Sequence, residues 1–181
     1  MKNSEFVQTQ PRTGQIIAQS TVVISLAFLL PFMVHLIPFS GEIPLGARFL
    51  PIFYAPLLAA FWNLRTAGIA TIAMPFVNLL TTGNPPSQFA LIMTLEVAVF
   101  LLIAWNLKSM KKINIVTGPL AYLGAKVISS TILGITLILG YTQIAPLDFA
   151  MNSVLNGIPG IIVMFIISYF LVVNKKKPSI S

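Results

Sequence analysis

Long apolar stretches broken by short polar gaps run the length of this chain. Six of them come close to the roughly 20 mostly apolar residues that a membrane-crossing helix needs. They cover residues 16–38, 46–64, 66–82, 88–107, 116–140 and 149–173. The pattern predicts an all-α integral membrane protein: one domain over residues 1–181, six transmembrane helices and short loops. Only Asn63-Leu64-Arg65 separates the second stretch from the third, so these two form a tight helical hairpin. The first, third and fifth gaps are built from Pro, Gly, Asn and Ser, which punctuate loops. Prolines 31, 51, 56, 75, 119 and 159 fall in or near the ends of helices. Membrane helices tolerate proline where neighbouring groups re-satisfy the freed carbonyls, and Pro51 and Pro56 are expected to bend the second span.

Composition agrees. The chain is 56% hydrophobic and 8% charged, against about a quarter charged in soluble domains. A net charge of +7 invites a nucleic-acid reading, but binders of that kind carry a clustered basic face. Here the cations are short caps on apolar spans, which suits an anionic lipid leaflet, so the bilayer rather than nucleic acid is the expected partner. Loops this short hold no extramembrane domain, and no GxxxxGK[ST] phosphate loop occurs, so the chain is not expected to hydrolyse ATP itself. There is no cysteine, which rules out disulfides and thiolate chemistry. Fifteen mostly polar residues precede the first span without a cleavage site, so no cleaved signal is expected.

Charge position sets the expected orientation. Lys2 and Arg12 precede the first span, Arg65 lies in the second gap, Lys108, Lys111 and Lys112 in the fourth, and Lys175, Lys176 and Lys177 follow the sixth. The other gaps hold Arg48 at most. By the positive-inside rule both termini are cytoplasmic, in a prokaryotic cytoplasmic membrane, and Trp62 and Trp105 anchor the inner interface.

Polar residues inside the spans collect at one depth. His35 lies near the outer end of span one and Arg48 at the outer start of span two; Asn78 and Glu96 fall in the outer halves of spans three and four. Lys126 is at mid-depth in span five, while Asn152 and Asn156 sit one turn apart on span six. Tyr54, Thr81, Thr82, Tyr122 and Gln143 lie close enough to join them. Lone Asn side chains also glue helices together, and Glu96 with Lys126 also reads as a structural ion pair. An intramembrane ionisable group is nevertheless a functional candidate by default, and the set stops halfway through the membrane, which predicts an outward-facing pocket rather than a channel. One histidine and one mid-membrane carboxylate are poor material for an intramembrane hydrolase, so no enzyme activity and no intrinsic cofactor are expected.

Six helices, about 180 residues, inward termini and an outward pocket resemble the substrate-binding S-components of energy-coupling factor vitamin transporters. The stretch Gly41-Glu42-Ile43-Pro44-Leu45-Gly46-Ala47-Arg48-Phe49-Leu50-Pro51 is similar to their first loop and second helix. His35, that stretch, and Asn78-Leu79-Leu80-Thr81-Thr82-Gly83-Asn84-Pro85 resemble most the small cobalamin-specific members. The resemblance implies a vitamin-binding subunit, with cobalamin as the first substrate expected and a riboflavin-, thiamin- or biotin-like vitamin as the alternative. It implies a pocket drawing on His35, Arg48, Tyr54, Asn78, Ser87, Glu96, Lys126, Asn152 and Asn156. His35 would be an axial ligand of cobalamin cobalt, since imidazole suits that metal. Ser87 stands where some cobalamin members have a cysteine. Partners would be a membrane coupling protein and two ATPases, docked through small residues such as Ala18, Ser25, Ala67 and Gly68. A membrane scaffold resembling the rod-shape-determining subunits, which needs no polar pocket, is the competing reading.

Overall fold

A computed structural model describes residues 13–38, 41–62, 68–83, 85–110, 113–140 and 143–175, without the side chains of His35, Thr82, Gln88 and Lys175. The described chain is helical and contains no strand. Its helices are α1 (Thr13–Leu36), α2 (Leu45–Phe49), α3 (Tyr54–Trp62), α4 (Ile69–Thr82), α5 (Ser87–Leu107), α6 (Thr117–Ile138), α7 (Pro146–Asn156) and α8 (Ile158–Lys175). A single 3-10 turn, Pro51–Phe53, joins α2 to α3, and another, Asn114–Val116, leads into α6.

Among the described residues, three segments are long and apolar enough to cross a membrane: Thr13–Val34, Phe89–Leu107 and Asn114–Ile138. The pair α7–α8 makes a fourth when counted as one span. Large apolar side chains cover the outside, with Leu80 85% and Ile138 86% exposed. Contiguous apolar surface of this extent is not tolerated in water, and this is the exterior of a helical membrane protein.

Two of the six expected spans are not continuous helices. The second breaks at Leu50, which takes a left-handed conformation (φ 52°, ψ 43°). Proline after it disfavours the right-handed helical region at Leu50, and Pro51 restarts the chain as the first residue of the 3-10 turn. The sixth breaks at Gly157, where α7 and α8 diverge by 63°. The ring of Pro159 would clash with the carbonyl four residues earlier in a continuous helix, so α8 begins afresh around it. By contrast α1 and α4 carry Pro31 and Pro75 without interruption. The hairpin turn expected between the second and third spans lies in 63–67, outside the described residues.

α3 is the centre of the bundle. It packs against α1, α4, α5 and α8, and Ala55, Pro56, Leu57, Ala59, Ala60 and Phe61 are all buried. Alanine at three of these positions lets neighbouring helices approach closely. At its C-terminal end the Lys108 ammonium donates to the Ala60 carbonyl and sits 3.4 Å above the Trp105 ring. A cation there satisfies a helix-end carbonyl and complements the dipole.

α6 joins α8 through Gly118. A Cβ on Gly118 would come within 2.9 Å of Met164 and Ser168 atoms, so only glycine allows this approach. The Gly118 N–H, in the first turn of α6 and without an intrahelical partner, donates to Ser168 Oγ at 2.9 Å. Ser168→Ala removes the acceptor and leaves a buried N–H unsatisfied. The expected loss is about 1–3 kcal/mol in detergent unfolding, with the secondary structure unchanged.

Candidate ligand-binding cavity

A cavity of about 500 Å3 opens at the end of the bundle formed by the start of α5, the end of α1 and the start of α7. Its walls come from far-apart segments: Pro31 and Phe32 of α1, Gly46 and Ala47 of α2, Asn78 of α4, and Phe89, Ile92 and Met93 of α5. The left-handed Leu50 and the 3-10 turn after it supply a further wall, with Phe53 below. The Phe53 ring packs 5.0 Å from Phe100 and 5.2 Å, edge to face, from Tyr122. Such aromatic packing makes a rigid floor. Tyr122 donates from its hydroxyl to the Ser153 carbonyl at 2.9 Å, tying α6 to α7 on the same side.

Glu96 of α5 and Lys126 of α6 meet in this wall. Lys126 Nζ lies 2.7 Å from Glu96 Oε1 and 2.9 Å from Oε2, and the residues are 7% and 3% exposed, Lys126 and Glu96 respectively. Ser129 Oγ donates to Glu96 Oε1 at 2.8 Å. The ammonium lies 4.6 Å from the centroid of Phe149 and 5.6 Å from that of Tyr122. Two charges at this depth are tolerated because they neutralise each other and are hydrogen-bonded; either alone would be costly.

Three of the residues expected in the pocket therefore share the cavity, Asn78, Glu96 and Lys126, together with Tyr122, which was expected to join them. Arg48, Tyr54, Ser87, Asn152 and Asn156 do not line it. Tyr54 instead donates from its hydroxyl to the Phe49 carbonyl, closing the α2–α3 bend. Ser87 and Asn152 are exposed, and Asn156 ends α7 rather than continuing a long sixth helix. The His35 side chain, expected as a cobalt ligand, lies outside the described residues.

Of the small residues expected at a docking surface, Ala18 and Ser25 are exposed on α1. Gly68 is buried and its carbonyl accepts from Thr71 Oγ1 at 2.7 Å, while Ala67 is outside the described residues. No group of three or more His, Cys, Asp or Glu able to hold a metal occurs among the described residues.

Sequence reasoning missed Ser129 and Phe149. Ser129 follows Lys126 by three positions, which places both on one helix face, so the spacing carried a signal. Phe149 carried none, because its approach to Lys126 depends on how α7 crosses α6. Comparison of the chain with protein families, with curated proteins and with solved structures finds no match.

Proposed function

We propose that this protein is the substrate-binding membrane subunit of an uptake system for a vitamin or related micronutrient. In this reading all six apolar segments lie in a prokaryotic cytoplasmic membrane with both termini inside, and the cavity faces out. The observation that carries it is the cavity itself, a concave, mostly apolar space with a few convergent polar groups, which is how small-molecule sites are built. It lies at the opposite end of the bundle from Lys108, which supports an outward-facing cavity if the positive-inside rule holds for this chain. The short α3 suits this arrangement, because broken helices at membrane depth are tolerated where protein encloses them. A membrane coupling protein with two ATPases would drive release to the inside.

Cobalamin, the first substrate expected, is a large ligand for a cavity of about 500 Å3. A vitamin of riboflavin or thiamin size fits better. The test is a melting-temperature panel on detergent-purified protein with riboflavin, thiamin, biotin and cyanocobalamin. One of them is expected to stabilise the fold by about 2–3 kcal/mol at 100 times its Kd. If none raises the melting temperature, the uptake reading is abandoned for the scaffold.

A further inference from the structure

The small-molecule-binding reading above, on which this rests, leaves open what kind of molecule the cavity takes. We infer that its ligand is an uncharged, flat heteroaromatic ring compound whose edge presents a C=O and an N–H side by side, as in a lactam, and that this edge docks on the Lys126–Glu96 pair.

Charge comes first. Among the described residues lining the cavity, Glu96 and Lys126 are the only charged ones, and they are bound to each other. A ligand with a net charge would either stand uncompensated in a mostly apolar space or have to split a buried pair, and both are costly. The site therefore selects against anions and cations.

Hydrogen-bond capacity comes second. The ammonium has three donors and the carboxylate about four acceptor positions. Lys126 uses its donors on Oε1 and Oε2, with Phe149 on its flank 4.6 Å away. An aromatic face is a weak acceptor that a ligand carbonyl outcompetes. Glu96 Oε1 already accepts from Lys126 and Ser129, whereas Oε2 accepts from Lys126 alone. One donor and one acceptor thus remain next to each other, their atoms less than 3 Å apart. A C=O beside an N–H matches that pair in order and spacing. A pure hydrocarbon would leave both groups dry, which a buried polar group does not tolerate cheaply.

Shape comes third. Phe32, Phe53, Phe89 and Phe149 supply flat faces around the pair, and prolines hold the rim. At about 30 Å3 per water-sized unit, the volume suits a ligand on the order of 15–25 non-hydrogen atoms.

The test uses the full chain in lipid nanodiscs and measures Kd for lumichrome, riboflavin and methylpterin. Each is paired with its counterpart methylated on the ring nitrogen next to the carbonyl. Thiamin (a cation), riboflavin phosphate (an anion) and cyanocobalamin (oversized) complete the set. At least one neutral ring is expected to bind ten-fold or more tighter than its methylated counterpart, because methylation leaves the Glu96 acceptor unmatched.

In the double variant Glu96→Met/Lys126→Met, whose charges are removed together so that neither is stranded and which leaves no donor or acceptor in their place, that preference is expected to vanish, each ring and its methylated counterpart binding within about two-fold of each other and both more weakly than to the parent protein. Equal binding of the methylated rings, or tightest binding of thiamin, riboflavin phosphate or cyanocobalamin, overturns the inference while the uptake reading stands. If no compound in the set binds, this inference falls, and the uptake reading falls with it when biotin also leaves the melting temperature unchanged.

Discussion

Lys126→Met is expected to destabilise the protein by about 3–5 kcal/mol, because it leaves the Glu96 carboxylate buried without its cation. The companion Glu96→Gln strands the ammonium between Phe149 and Tyr122 and should cost a similar amount. Removing both charges at once should recover most of the loss, leaving the double variant within about 1–2 kcal/mol of the parent. The magnitude follows from asymmetry: a buried pair gains little over well-packed apolar groups, but half a pair is far worse than none. Ser129 does not rescue the carboxylate, since one hydroxyl hydrogen bond replaces neither the charge nor the second oxygen's partner. Chemical unfolding in detergent micelles measures all three variants. A double variant as unstable as the singles would show that the pair supplies net stability, and one that loses as much as both singles together would show that the two charges are not coupled.

Gly160→Ala is the second large effect, expected at about 2–3 kcal/mol. A Cβ at this position would sit 2.6 Å from the Phe49 carbonyl oxygen and 2.7 Å from its carbon. Both are backbone atoms, so no rotamer change relieves the clash, and α8 must move off the Leu50 corner. Helix propensity works the other way and favours alanine by up to about 1 kcal/mol, so a measured loss reports the contact alone. Gly124→Ala is the control. Its Cβ would meet Ile103 Cδ1 at 2.7 Å, the free end of a flexible side chain, and the change should stay within about 0.5 kcal/mol of neutral.

The Leu50 corner explains why this contact reaches the cavity. A left-handed leucine costs on the order of 1–3 kcal/mol and persists only where its surroundings hold it. Here the surroundings are the glycine-faced start of α8: alanine at Gly157 would meet Leu50 Cδ1 at 2.8 Å, and at Gly160 Leu50 Cγ at 2.8 Å. Leu50 seats in that notch and lines the cavity from the other side. Pushing α8 away therefore loosens a cavity wall as well as the core. Gly160→Ala should lose ligand affinity together with stability, with Kd rising alongside the fall in melting temperature.

The helical, lipid-embedded character of the protein was legible from periodicity and length alone. A stretch such as 88–107 contains one charge in 20 residues, and only a helix satisfies its own backbone in hydrocarbon. The pairing of Glu96 with Lys126 was legible for a related reason. Ionisable groups within apolar stretches are rare enough to stand out, and each needs a partner at its own depth. The two helix breaks were only half visible. Pro51 and Pro159 are in the sequence, but Pro31 and Pro75 sit in uninterrupted helices, because what decides is whether neighbours hold the chain straight or turn it.

Residue identity and spacing therefore determined the helices, their apolar exterior and the residues able to form a buried pair, since these depend on backbone chemistry and on the cost of charge in lipid. Which polar residues meet was decided by tertiary structure. Asn152 and Asn156 lie off the cavity wall because α7 leaves α8 at 63°. Leu50 and Phe149 reach it because glycines on α8 and the crossing of α7 over α6 bring them there. Helix rotation and crossing are set by close contacts among segments far apart in the chain, and no local pattern records them.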